Sequence, residues 1–212
     1  MHVLSVNVSQ PKTVTFDDKT YDTGIYKTPV EGRVMLRQLG FDGDVQVDRK
    51  NHGGVDKAAY LYTAEAYDYW KRELRRDDLA YGQFGENLTV TGLAEQDLHM
   101  NDVFRIGEAI VRVCAPRIPC YKLENKMGIP GFIKSFRESG RPGVYLHVLE
   151  EGTIAADDDI EQIEAGKGQV PIYELVELFY TRTPDKDMLR RVLELEHLNP
   201  YLAERYLAKL ES

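Results

Sequence analysis

Cysteine is scarce: Cys114 and Cys120 are the only two in 212 residues. Two thiols cannot build a disulfide framework, and their six-residue spacing, with no histidine close by, supplies too few ligands for a structural zinc site. Long apolar runs are missing too, so no segment has the length to span a bilayer as a helix. The opening Met1-His2-Val3-Leu4-Ser5-Val6 has neither the basic start nor the apolar core of a signal peptide. A cytoplasmic chain with no membrane partner is expected. Positive charge is in deficit: 27 Lys and Arg against 35 Asp and Glu leave a net charge of −8, which repels nucleic acid at long range. The one basic cluster, Lys71-Arg72 with Arg75-Arg76, is followed at once by Asp77-Asp78 and reads as a solvated helix face. Neither a glycine-rich nucleotide loop nor a Gly-x-Ser-x-Gly elbow occurs, which removes the usual signatures of nucleotide binding and serine hydrolysis.

What is present suits one globular domain with a small appendage: 42% hydrophobic and 29% charged residues are enough to bury a core and keep it in water. Residues 3–8 alternate like a half-buried strand, and residues 11–20 read as a loop or loose hairpin. Gly24 to Val30 is extended ahead of its proline, and Asp42 and Asp44 punctuate a glycine turn. From Thr63 the period changes: Tyr67, Trp70 and Leu74 recur at helical spacing behind a Thr63 N-cap. Residues 103–106 and 109–113 flank Gly107-Glu108 as a hairpin; residues 129–139 read as a short helix stopped by Gly140, and 143–148 and 159–164 as further strands. Many short strands with glycine turns and few helices predict a mainly β, barrel-like domain over residues 1–168. Residues 169–212 then read as three helices, 172–181, 185–196 and 201–210, with Thr183-Pro184 and Asn199-Pro200 as cap-and-proline starts. That tail is too short for a core of its own and is expected to pack on the barrel or on a second subunit, which leaves a homodimer open.

Chemistry concentrates in Pro116-Arg117-Ile118-Pro119-Cys120-Tyr121-Lys122. A thiol between two cations is favoured as the thiolate, the form that attacks electrophiles and ligates metals, whereas the bland reading of Cys120 is a small buried hydrophobe. Cys114 follows Ile110 and Arg112 on a strand face expected to meet solvent, and it has no partner that the sequence names. Gly85-Glu86-Asn87-Leu88 reads either as a turn that satisfies its own backbone or as a polar rim. His52, within Asn51-His52-Gly53-Gly54, reads either as a structural hydrogen-bonder or as a pocket residue beside glycines that permit close backbone approach.

With Pro-Arg-x-Pro-Cys, Gly-Glu-Asn-Leu and His-Gly-Gly in one chain, the sequence resembles the MOSC family, the molybdenum cofactor sulfurase C-terminal domains. It looks closest to the stand-alone bacterial branch with extra C-terminal helices, over about Val3 to Ile163. The resemblance implies a MOSC-type β-barrel holding a molybdenum cofactor (molybdopterin), with Cys120 as the protein ligand to molybdenum. It places Glu86, Asn87 and His52 at the reacting side of the pocket, and Arg117, Lys122, Gly53 and Gly54 around the cofactor. Lys27 and Thr28 match a lysine–hydroxyl pair that meets the cofactor phosphate in related amidoxime-reducing proteins; an exposed edge-strand lysine is the plain alternative. The implied activity is reduction of small N-hydroxylated compounds, such as hydroxylamino bases and amidoximes. The chain has no flavin or iron–sulfur motif, so the electrons must come from a partner reductase protein. The alternatives are a sulfur carrier with a persulfide on Cys120, and a cofactor-binding module without turnover.

Overall fold

The computed structural model describes residues 1–47 and 53–211. Among them are thirteen strands: β1 (His2–Val8), β2 (Lys12–Phe16), β3 (Lys19–Thr23), β4 (Thr28–Pro29), β5 (Val34–Arg37), β6 (Gly40–Phe41), β7 (Ala59–Thr63), β8 (Leu88–Thr91), β9 (Val103–Ile106), β10 (Ala109–Pro116), β11 (Val144–Glu150), β12 (Gly152–Ile154) and β13 (Ile160–Glu164). Eight form one sheet in the order β13-β9-β10-β11-β7-β8-β1-β4, antiparallel throughout except for the parallel pair β7 and β8. Strands β12, β5 and β6 make a second sheet, and β2 with β3 a separate hairpin. The main ladder is not closed by its named strands. Its ends are nonetheless drawn together, because Val3 N–H donates to Asp158 O at 2.9 Å, Ile160 N–H donates to Met1 O at 2.9 Å, and His2 bridges Asp159. This is the expected barrel-like architecture, with its seam bridged rather than laddered.

Alternation explains which strands bury which side. In β9 and β10, Val103, Phe104, Ile106, Ala109, Val111 and Val113 are buried while Arg105 stays exposed. Strand β7 is buried at all five positions, as a strand covered on both faces must be. Its outer cover is α1 (Ala64–Leu74), which starts where the sequence predicts: Thr63 Oγ1 accepts from Ala66 N–H at 3.2 Å. Tyr67 and Trp70 face inward from α1 and meet Tyr62, Phe84, Phe132 and Phe136 in an aromatic cluster separate from the barrel core. Trp70 and Phe136 stack 5.9 Å apart with 3° between their planes, and Trp70 Nε1–H donates to Tyr62 Oη at 2.8 Å. Each such ring contributes about 1.5–3 kcal/mol by its burial.

Strand β10 runs further than its sequence suggests. A bulge between Val113 and Ala115 breaks the period of two, and the ladder continues until Pro116 lies opposite Val144. The expectation that Cys114 shares a solvent-facing side with Ile110 and Arg112 is therefore overturned. Cys114 is 1% exposed, and its thiol donates to Asp56 O at 2.9 Å and lies 3.2 Å from Tyr145 O. After the strand, Cys120 caps a short helix that periodicity does not reveal, α2 (Tyr121–Met127), followed by α3 (Phe132–Glu138).

The tail forms α4 (Ile172–Tyr180), α5 (Lys186–Leu193) and α6 (Pro200–Glu211). Ile172, Leu175, Leu189, Leu202 and Tyr206 are buried in the same core as Val111, Val113 and Leu146 of the barrel, so the helices complete that core. Two backbone bonds splice them to it, Met100 N–H to Val170 O and Ile172 N–H to Leu98 O, both 2.9 Å. Asn199 caps α6 as expected, accepting from Tyr201 N–H at 3.0 Å. Thr183 does not cap α5. Asp185 does, its Oδ1 accepting from Asp187 and Met188 N–H, because the helix begins two residues later than Pro184 suggests.

Candidate functional site

The phrase running from Gly82 to Asn87 links the aromatic cluster to the barrel mouth. Gly82 and Gly85 both have positive φ and lie against the 25–27 segment; a Cβ on Gly82 would sit 2.5 Å from Lys27 O, and one on Gly85 2.7 Å from Ile25 Cγ1. Between these glycines and β8, Glu86 turns inward and is fully buried. Its carboxylate accepts from Tyr67 Oη–H, from Gly82 N–H at 2.6 Å, from Thr89 Oγ1–H at 2.9 Å and from Phe84 N–H at 3.1 Å. Burial holds its pKa above the ordinary carboxylate value, with the bonds from Tyr67, Gly82 and Thr89 opposing that rise. Glu86 thus pins the turn from beneath.

Asn87 points the other way. Its Oδ1 accepts from Tyr60 N–H at 3.1 Å, and its Nδ2 donates to Asn7 O at 3.2 Å and Asp44 Oδ2 at 2.9 Å. Asp44 is a hub: it also accepts from Ser9 N–H at 2.8 Å and, through both oxygens, from Lys27 Nζ at 2.5 Å. Burial pulls the Lys27 ammonium below its ordinary pKa, and Asp44 works to raise it.

Above this floor opens a cavity of about 110 Å³ whose wall carries Lys57, Arg117, Cys120 and Lys122, with the Tyr60 and Tyr145 rings beside them. Arg117 is 5% exposed, and its guanidinium lies between the Tyr60 and Phe136 rings at 5.4 and 5.2 Å. Among the described residues its Nη1 has no hydrogen-bond partner. Lys126, behind the wall, donates to Ile25 O at 2.9 Å and Gly82 O at 2.6 Å, and burial draws its pKa down to about 8. An adjoining groove of about 640 Å³ shares Lys57, Cys120 and Tyr145 with the cavity and extends past Gly53 and Gly54 to the start of α6. Cys120 stands on the divide between the two.

The structure therefore brings Cys120, Arg117, Lys122, Lys27 and Asn87 around one cavity, and Gly53 and Gly54 onto the groove beside it. It does not bring Glu86 or Thr28 there: Glu86 lies beneath the turn, and Thr28 is exposed on β4 opposite Val8. His52 and Asn51 lie outside the described residues. Sequence reading missed Asp44, Tyr60 and Tyr145. The latter two meet only through the fold, where Tyr60 pairs with Tyr145 in the β7–β11 ladder.

The MOSC domain model matches residues 48–161, more than half of the chain. The chain belongs to the MOSC domain family. This MOSC protein is 39% identical to the uncharacterized protein YflK of Bacillus subtilis (strain 168) over 90% of its own length and 86% of that relative. Its structure superposes on the crystal structure of YiiM from Geobacillus stearothermophilus with a TM-score of 0.83, at 30% identity, covering 99% and 98% of the two chains. It is also 26% identical over 85% of its length to a protein named reductase from Gibberella moniliformis (strain M3125 / FGSC 7600), of which it covers 32%. No helix among the described residues of this MOSC protein is long and apolar enough to cross a membrane.

Proposed function

We propose that this MOSC domain is a molybdenum-cofactor-dependent reductase of N-hydroxylated compounds, fed with electrons by a separate protein. MOSC domains are associated with molybdenum cofactor binding, and the cations and thiol on the cavity wall are suitable chemistry for an anionic, metal-bearing group. The observation that carries the reading is Arg117: a buried guanidinium with an unpartnered Nη1, on a cavity wall that also holds Cys120 and Lys122. A guanidinium keeps its charge in proteins, and leaving one of its buried donors unmade costs about 1–3 kcal/mol or more, which an anionic group in the cavity removes. Among the described residues no cluster of three or more His, Cys, Asp or Glu is arranged to hold a metal ion. A metal that brings ligands of its own needs only one protein donor, and the Cys120 thiolate is a suitably soft one. When bound, the cofactor supplies two-electron redox chemistry.

The chain's own part is binding and orientation. Arg117, Lys57 and Lys122 offer positive charge in a site walled by Tyr60 and Tyr145, where a low local dielectric strengthens it. The Lys27–Asp44–Asn87 floor is internally paired and fixes the shape of the cavity. The overall change is R–NHOH + 2e⁻ + 2H⁺ → R–NH₂ + H₂O, in which the N–O bond breaks and its oxygen leaves as water. The name reductase borne by a longer relative agrees with this direction of chemistry.

The test is metal analysis of protein made in a host with intact molybdenum-cofactor synthesis, with activity assayed using a surrogate reductant. Wild type should hold about one molybdenum per chain, on the single-thiolate reading. Cys120→Ser, with a harder and far less ionised donor, should lose both metal and activity. Cys114→Ser should keep most of both, because Cys114 is buried in the strand and its serine can still donate to Asp56 O. A metal-free wild type carrying a persulfide on Cys120 would replace the reductase by a sulfur carrier.

A further inference from the structure

Among the described residues four buried side-chain atoms have no hydrogen-bond partner: Asn101 Oδ1, Arg112 Nε, Arg117 Nη1 and Glu174 Oε2. Arg117 belongs to the cavity beside Cys120. Asn101 and Arg112 line a different one, of about 450 Å³, between the barrel and the helical tail. It shares no residue with the cavity or the groove around Cys120, and its volume lies within the range of roughly 300–1,000 Å³ typical of small-molecule sites. Asn101 N–H donates to Val113 O at 2.9 Å and Val113 N–H to Asp102 O at 2.8 Å, so the Asn101 turn is strapped to β10 next to Arg112. Asn101 sits at φ 67°, a left-handed conformation that asparagine tolerates better than most residues. Its Nδ2 donates to Glu196 O at 2.8 Å, which leaves Oδ1 an acceptor without a donor, while Arg112 keeps a donor without an acceptor. The other cations here are engaged: Lys167 pairs with Glu196 at 3.6 Å, and Arg191 donates to Gly168 O. Buried groups left open in this way are rare, and two of opposite type on one cavity point to a ligand that carries both complements.

We propose that this cavity binds a small α-amino acid with an apolar side chain, its carboxylate on Arg112, its ammonium towards Asn101 and its side chain against Val103, Val170 and Leu149. A guanidinium is suited to a carboxylate through its planar set of N–H donors, and an amide oxygen to an ammonium. An α-amino acid carries both groups on one carbon, which matches a donor and an acceptor held on neighbouring stretches of backbone. Glu164 and Glu194 also line the cavity, and they repel a phosphate or a dicarboxylate more than a ligand without net charge. The carbon surface of Val103 and Val170, both buried, favours an apolar side chain over a polar one. Neither the molybdenum cofactor nor turnover takes part, so this site stands whatever the fate of the reductase reading.

Isothermal titration calorimetry on the full chain decides it, with L-leucine, isocaproate, isoamylamine and inorganic phosphate as probes. L-Leucine should bind wild type at a single site. Isocaproate lacks the ammonium and isoamylamine the carboxylate, so each should bind at least about tenfold more weakly. Arg112→Met keeps the aliphatic stem and loses the donors; Asn101→Gly suits the left-handed backbone and loses the acceptor. Each should weaken leucine by about tenfold or more. Arg112→Lys, which keeps the charge without the planar fork, should fall between wild type and Arg112→Met. Arg182→Met, at an exposed cation between α4 and α5, should match wild type. Thermal unfolding without ligand checks that every variant folds. Wild-type affinity for leucine in Arg112→Met overturns the site; where that variant does not fold, wild-type affinity in both Arg112→Lys and Asn101→Gly does so instead. A wild type that takes up no leucine at millimolar concentration leaves both open atoms to bound water and also overturns it. Phosphate bound more tightly than leucine, and lost in Arg112→Met, would make this an anion site and refute the amino acid.

Discussion

Replacing Asp44 by alanine should be among the most damaging single changes at the cavity, although Asp44 belongs to none of the motifs that mark the family. The side chain is nearly enclosed, at 6% exposed, and so is its partner Lys27, at 9%. Truncation strips the acceptor from three donors at once: Ser9 N–H, Asn87 Nδ2–H and the Lys27 ammonium. The two neutral donors, of which Asn87 lines the cavity, cost about 1 kcal/mol each, at the low end for an unmade buried bond. The stranded ammonium, already held below its ordinary pKa by burial, adds about 2 kcal/mol once Asp44 no longer supports its charge. The sum, about 4 kcal/mol, sits within the roughly 3–5 kcal/mol found when one partner of a buried pair is removed. For a chain of this length it corresponds to a fall in Tm of roughly 8–16 °C. Lys27→Met should cost less, about 1–2 kcal/mol, because it removes a desolvated charge and leaves Asp44 two donors. The double variant Lys27→Met/Asp44→Ala, which strands no charge, should lie within about 3 kcal/mol of wild type, well short of the additive sum of about 5–6. Thermal and urea unfolding of the four proteins measure this. A drop under about 2 °C for Asp44→Ala, or strict additivity in the double variant, would refute the account of the floor as a buried, mutually dependent pair.

Two further expectations concern pH and capping. Burial, with the nearby charges of Lys27, Arg117 and Lys12 adding to it against Glu86, draws the Lys126 pKa down to about 8 in the folded protein, against 10.5 for an ordinary lysine. Between those values the unfolded chain holds a proton that the folded chain has released, so this group's contribution to stability rises with pH across that window and is flat outside it. The unfolding free energy of wild type relative to Lys126→Met should therefore grow from pH 8 to 10.5, by up to about 3 kcal/mol, and a flat or falling difference would contradict it. At the start of α5, Asp185→Ala should cost about 1 kcal/mol while Thr183→Ala stays within about 0.5; urea unfolding showing the opposite order would return the cap to Thr183.

The fold was legible wherever a local rule had no competitor. Thr63 before an i, i+3, i+7 apolar stripe caps a helix, and it does so here with its own hydroxyl. The three tail helices were visible for the same reason, their starts marked by Asn199 and, two residues astray, by Pro184. Strand β10 was misjudged because a bulge is a tertiary event. Val113 and Ala115 find their partners on β11 only after the chain has crossed two helices, and nothing within the β10 sequence announces the extra residue between them. Helix α2 escaped because only Leu123 and Met127 mark its buried side, whereas the equally short α3 shows Phe132, Ile133 and Phe136 together on one side.

The site was legible as a list of groups and opaque as an arrangement. Pro-Arg-x-Pro-Cys carries its own chemistry in one stretch, and Arg117, Cys120 and Lys122 do line one cavity. Glu86 and Asn87 are neighbours in sequence with opposite fates, since the chain turns between them and sends one carboxylate under Gly82 and one amide over Asp44. Which of the pair faces the cavity depends on Tyr67, Thr89, Tyr60 and Asn7, and the last two reach Asn87 from strands β7 and β1 on separate stretches of chain. Asp44 looked like turn punctuation for the same reason, because its three donors come from Ser9, Lys27 and Asn87. A carboxylate that neutralises Lys27 leaves Arg117, among the described residues lining this cavity, with a buried donor still open on the wall that also carries Cys120.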